Sequence, residues 1–230
     1  MIGSVSEFVS PARYFAARGA TAVVVEYRVF CRSGAGIVAE IADAKSAVRW
    51  IRSHASQLHI DPTRVAASGG SSGGHLALST ALFAEWDERG EDRRMSSKPN
   101  RLVLFYPCVD ETTDEEHSYG GDAIGSHGKD VSPLYHIVPG MPPTLLLQGT
   151  ADDLYTENKR YCAEAKAKGN QCDFVEFRGA EHGFFDPGPT TAQWYAKGLR
   201  EMDQYLTRAG YLPASATAPE PNAPSPSKGQ

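Results

Sequence analysis

The sequence predicts an α/β domain, a mostly parallel sheet with helices on both faces. Short apolar, β-branched runs alternate with amphipathic stretches of helical period, the βαβα pattern of a parallel sheet covered by helices. The 230 residues match the length of one large open-sheet domain. With 41% apolar, 10% aromatic and 22% charged residues, the chain must be packed, which excludes wholesale disorder, collagen and coiled coil.

Taken in order, Ser10 followed by Pro11 reads as an N-cap and first helical residue, and Gly19 closes a short helix around Tyr14, Phe15 and Ala16. Residues Thr21 to Tyr27 are almost continuously apolar, as expected of a strand buried on both faces. Ile37, Ile41, Ala44, Val48 and Ile51 recur at helical spacing and predict a long helix ending near His54. Asp61-Pro62 turns the chain into a short strand, Arg64 to Ser68. A glycine-rich turn and a helix from His75 to Phe83 follow. Further strands are expected at Arg101 to Tyr106, Thr144 to Gln148 and Cys172 to Phe177, and helices at Tyr155 to Lys168 and Thr191 to Ala209. The irregular stretch between Pro107 and Pro143 is too long for a simple connector, and such loops tend to build sites. Residues 1–212 are thus expected to form one domain, and residues 213–230, rich in Pro, Ala and Ser, a disordered tail or a linker.

The chemistry concentrates where the short strand meets the following helix. Gly69-Gly70-Ser71-Ser72-Gly73-Gly74 fits G-x-S-x-G in two registers, centred on Ser71 or Ser72. In such a nucleophile elbow the turn is so tight that small neighbours are required, and it lifts a serine Oγ clear of the sheet. Ser71 is favoured because it follows the strand with the shorter gap. Ser72 then offers its backbone N–H to an oxyanion, and Gly74 lets the helix pack closely. A phosphate loop is the bland alternative, yet neither G-K-[ST] nor a G-x-G-x-x-G with a downstream ribose acid is present. A serine hydroxyl needs a base to take its proton and an acid to orient that base. Asp152 follows the strand ending at Gln148, and His182 follows the strand ending at Phe177. Both fall at the carboxyl ends of strands, where open α/β sheets place their sites, in the order Ser, Asp, His. His75 reads as a packing residue; His117, His127 and His136 receive no role, and the acidic run Asp110 to Glu116 is a solvated face.

These residues resemble the acetyl esterase and hormone-sensitive-lipase-like branch of the α/β-hydrolases. The similarity rests on Gly69 to Ala77 as the elbow, Glu26-Tyr27-Arg28, then Asp43, Ala47 and Trp50 on the long helix. Ser132-Pro133-Leu134, Gly149-Thr-Ala-Asp152 and His182-Gly-Phe184 complete it. The resemblance implies a serine carboxylic-ester hydrolase with Ser71 as nucleophile, Asp152 rather than Asp153 as acid and His182 as base. Its partner would be a small-molecule ester, and it would need no cofactor. Gly149-Thr-Ala-Asp-Asp153 also resembles prolyl-oligopeptidase-like peptidases, whose elbow usually carries an aromatic where Ser72 stands. A non-catalytic remnant keeping the triad letters is the rival from another class.

The family's H-G-G-G-type loop, an oxyanion donor, would precede Gly3-Ser4, and only Met1 and Ile2 do. The expectation is therefore a hydrolase truncated at its amino terminus, lacking the first strands and the oxyanion glycine loop, poorly stable and weakly active alone. A net charge of -5 without a cluster of Lys or Arg argues against nucleic acid. No apolar run is long enough to span a membrane, and the first residues lack the pattern of an export signal. Cys31, Cys108, Cys162 and Cys172 lack the paired spacing of a zinc site. Free thiols are expected, a Cys162–Cys172 bridge in an oxidising compartment being the alternative.

Overall fold

The computed structural model describes residues 6–112 and 125–214. In chain order the helices are α1 (Ser6–Ala17), α2 (Phe30–Ser33), α3 (Ile37–Ser53), α4 (Ala55–Leu58), α5 (Ser72–Leu82), α6 (Tyr155–Ala167) and α7 (Ala192–Arg208). The strands are β1 (Ala66–Gly70), β2 (Arg101–Phe105), β3 (Thr144–Gly149) and β4 (Cys172–Phe177), with 3₁₀ turns at Gly125–Val131 and Pro133–Tyr135. The described residues fall into two compact units: residues 25–182, and residues 6–24 together with 183–214. None of the described helices is long and apolar enough to cross a membrane.

The larger unit is a four-stranded parallel sheet whose spatial order, β1-β2-β3-β4, is its sequence order. A parallel strand flanked on both sides must be apolar at successive positions, and β3, Thr-Leu-Leu-Leu-Gln-Gly, is buried at all six. Leu102, Leu104 and Leu146 form the core with Leu78 of α5 and Tyr161, Cys162 and Ala165 of α6. Helix α3 packs on α5 through Ile37 and Ile41 against Leu76 and Phe83. It also buries Lys45 and Arg49, two cations that Asp87 meets at 2.7 and 2.6 Å, with Glu91 on Arg49 at 2.7 Å. The Lys45 ammonium also donates to the Glu85 carbonyl. Buried charges persist only when paired and hydrogen-bonded, and this cluster meets both conditions.

In the smaller unit α7 buries Tyr195, Leu199 and Leu206. The Arg18 guanidinium grips Asp203 at 2.6 and 3.1 Å, and the Tyr14 hydroxyl donates to the same carboxylate at 3.1 Å. Burial and that anionic neighbour push the Tyr14 phenol up to about 12.

Several expectations are corrected. Residues Thr21 to Tyr27 form no strand, and Val23, Val24 and Val25 are 42%, 36% and 37% exposed instead of buried on both faces. β-branched composition supplies propensity only, whereas a strand exists through its ladder, and none of the four strands supplies one. Helix α1 starts at Ser6, so Pro11 lies inside it rather than at its first position. It removes one donor from the second turn, a loss that the packed helix tolerates. Strand β1 begins at Ala66 rather than Arg64 and continues through Gly70. Cys162 and Cys172 are bridged, with Cα atoms 5.6 Å apart, so the expectation of free thiols fails. α6 and β4 lie side by side after their connecting turn, which brings two buried thiols to bonding distance. The residues of the expected tail from 215 onward, those at 113–124 and His117 among them lie outside the described residues.

Candidate active site

The turn between β1 and α5 sets the site. Gly70 ends the strand, Ser71 stands at φ 52°, ψ -120°, and Ser72 begins the helix. The Ser71 N–H donates to Phe105 O of β2 at 3.0 Å, while its carbonyl accepts from His75 N–H at 3.0 Å and from Cys108 N–H at 3.3 Å. A Cβ on Gly69 would lie 2.3 Å from the Gly73 backbone, and one on Gly74 2.8 Å from Pro107 Cβ. Gly73, by contrast, has open space where its Cβ would be. The glycines that sterics demand are therefore Gly69, where the helix passes the strand, and Gly74, where it passes the Pro107 loop. Ser72 N–H lies in the first turn of α5, where a helix leaves donors without intrahelical acceptors.

Asp152 and His182 come from the two adjoining strand ends. Beyond β3, the Asp152 carboxylate accepts from Leu154 N–H at 2.9 Å, and its carbonyl from Tyr155 N–H at 3.0 Å. Its two oxygens lie 3.2 and 3.1 Å from His182 Nδ1. His182 Nε2 is 2.9 Å from Ser71 Oγ. The line Asp152–His182–Ser71 is thus continuous. The Asp152 side chain is 1% exposed and that of His182 36%, so the acid is shielded while the imidazole meets solvent. Asp153 is exposed. Of the two serines in the turn, it is Ser71 whose Oγ the His182 Nε2 meets at hydrogen-bond distance.

Two neighbours carry no motif and were missed in the sequence. The Tyr106 ring lies 4.9 Å from the His182 ring, and Cys108 Sγ lies 3.8 Å from Ser71 Oγ. Both follow β2, the strand beside the elbow, so their position at a strand end was the available signal. Burial pushes the Cys108 thiol up to about 12, which keeps it protonated and a poor competitor of the serine as nucleophile. His75 is buried, with Nε2 2.7 Å from Val131 O, as a packing residue. His136 Nε2 lies 3.0 Å from Lys129 O, and the His127 ring sits 6.2 Å from that of Trp86. Among the described residues no group of three or more His, Cys, Asp or Glu could hold a metal. A groove of about 860 Å³ lined by Val25, Tyr27, Arg28, Asp43, Trp50 and Met95 includes none of Ser71, Asp152 and His182.

Comparison with known proteins agrees with this architecture. A family model described as alpha/beta hydrolase fold matches residues 4–186. The apo form of esterase 2 from Thermogutta terrifontis is 37% identical with a TM-score of 0.87, over 94% of this chain and 81% of that one. The same esterase phosphorylated by paraoxon, also 37% identical, gives 0.86 over 94% and 80%. With butyrate bound, at 35% identity, it gives 0.86 over 94% and 82%. Among curated proteins, an acetylxylan esterase of Xylanibacter ruminicola is 22% identical over 198 residues, 80% of this chain and 37% of its own. Esterase LipU of Mycobacterium tuberculosis is 24% identical over 213 residues, 81% of this chain and 67% of its own. The chain spans between 30% and 67% of the length of four curated relatives it matches. With a matched model over most of its length and solved relatives above one-third identity, the chain belongs to the α/β-hydrolase fold family, in the branch of the carboxylic ester hydrolases.

Proposed function

We propose that this chain hydrolyses carboxylic esters of small acyl groups through an acyl-enzyme on Ser71. The observation that carries the reading is the unbroken hydrogen-bonded line from the Asp152 carboxylate through His182 to Ser71 Oγ. His182 Nε2 accepts the Ser71 proton as Oγ attacks the acyl carbon, and the Ser72 N–H stabilises the oxyanion of the tetrahedral intermediate. Collapse expels the alcohol, which takes the proton back from His182. Water then attacks the acyl-serine by the same route, and the acid leaves with Ser71 restored. Asp152 holds the imidazole in the tautomer that presents a bare Nε2 to the serine. Butyrate in the related esterase supports a short acyl group, and the paraoxon adduct of that protein supports reactivity toward organophosphates. The Cys162–Cys172 bridge favours an oxidising compartment.

The test is a p-nitrophenyl ester series from acetate to octanoate, with fluorophosphonate labelling and peptide mapping. Ser71→Ala is expected to abolish turnover and labelling. Ser72→Ala keeps much of both, because a backbone amide survives side-chain truncation. Asp152→Asn is expected to lower kcat by roughly 10⁴-fold, because the amide would hold the imidazole in the wrong tautomer, while Asp153→Asn changes little. A label on Ser72, or a damaging Asp153→Asn beside a benign Asp152→Asn, sinks the assignment.

A further inference from the structure

The turn that presents Asp152 also holds the loop that carries His182. β3 and β4 stay in register to their last residues, Gly149 opposite Phe177. Beyond that point Phe177 O accepts from Thr150 N–H at 3.0 Å and from Ala180 N–H at 3.1 Å, while Ala151 N–H donates to Ala180 O at 3.0 Å. At the rim, Gly179 N–H donates to Thr150 Oγ1 at 2.9 Å. The tightest approach is at Gly149, where a Cβ would lie 2.3 Å from Ala180 O, 2.8 Å from its carbonyl carbon and 3.2 Å from Glu181 O. All three are backbone atoms, so no rotamer change relieves the clash, and Ala180 is itself fully buried.

We infer that Gly149 is a positioning residue for the base: its bare Cα lets the Ala180–Glu181 peptide dock on the end of β3, and that docking sets where His182 stands. The inference rests on the triad reading above. A methyl at Gly149 must push that peptide by about an ångström, and a misplacement of this size costs roughly 100-fold in rate. Gly149 makes the acid and base share one frame, since the end of β3 leads into the Asp152 turn and also seats the peptide that precedes His182.

The experiment uses the 230-residue chain with p-nitrophenyl butyrate, comparing Gly149→Ala, Thr150→Val, Thr150→Ser, His182→Ala and the Gly149→Ala, His182→Ala double variant. Gly149→Ala is expected to lower kcat by about 100-fold with KM within about threefold, because no ground-state contact is removed. In the His182→Ala background the same change should cost nothing further, since its effect passes through the imidazole. A low-field proton resonance of His182 Nδ1, expected in the parent from its contact with Asp152, should shift or vanish in Gly149→Ala. Thr150→Val should lose a few-fold, which Thr150→Ser restores. Parent-like kcat in Gly149→Ala, or an equal loss in the His182→Ala background, overturns the inference. Should Gly149→Ala fail to fold, an unchanged kcat and resonance in Thr150→Val overturns it instead. Failure of the triad reading is distinct: it would show as an active His182→Ala, whatever Gly149 does.

Discussion

Ser71 holds a positive φ that a residue with a side chain keeps only when its surroundings over-determine it, and here three backbone hydrogen bonds and two sterically required glycines do so. Glu40 illustrates a different cost. It sits in the first turn of α3 with no exposed surface, and burial pushes its carboxyl from 4.5 up to about 7. The folded chain therefore binds this proton more tightly than the unfolded chain. Stability from this group falls as pH rises from about 4.5 through 7, and the penalty is complete above that window. Glu40→Gln is expected to raise stability at pH 8 by roughly 1–2 kcal/mol and to change little at pH 4, as urea melts at the two pH values would show. A gain of equal size at both would mean that packing, not charge, is responsible. At this scale the sequence was most legible where chemistry is local: Ser71, Asp152 and His182 announce themselves by their glycines and strand ends. Tyr106 and Cys108 did not, because nothing in an aromatic or a thiol after a strand says which neighbour it will face. The buried charge of Glu40 was hidden for the same reason, since helical periodicity marks a face without reporting what covers it.

Helices and strands were legible in kind and less so in extent. β2, β3 and β4 end within one residue of expectation; burial makes β2 and β3 almost continuously apolar, whereas β4, Cys-Asp-Phe-Val-Glu-Phe, is buried only at its two ends and was legible from its flanking turns. β1 is shifted by two residues, since its last positions are glycines, which carry no strand signal and are there for the close pass of α5. The segment from Thr21 to Tyr27 has the composition of a strand and no ladder among the four strands, a distinction only tertiary pairing can make. The bridge between α6 and β4 was equally out of reach, since a sequence separation of 10 permits a disulfide without requiring it. Closing a loop of that length restrains the unfolded chain by about 2–3 kcal/mol. Replacing Cys162 and Cys172 together by Ala is therefore expected to lower the melting temperature by several degrees, and dithiothreitol to do the same to the parent but not to the double variant. An unchanged melt would show the bridge to be energetically idle.

The four described strands are laid down in sequence order, each of β2, β3 and β4 pairing with the one made before it. Each pairing closes only the stretch between neighbours, residues 71–100, 106–143 and 150–171, and never spans the sheet. Low separation of contacting segments favours fast closure, and an edge that grows in one direction lets closure keep pace with synthesis. Pulse-labelled hydrogen exchange during refolding should find β1 to β3 protected no later than β4; protection of β4 ahead of β1 would contradict this order. The same order gives the site a birth sequence. The serine turn is displayed once β1 and β2 have joined, the acid arrives with β3, and the histidine comes only after β4 has closed the growing edge. A chain emerging from the ribosome therefore displays Ser71 through the 111 residues that separate it from His182, and the proposed triad closes only when the last of the four described strands is in place.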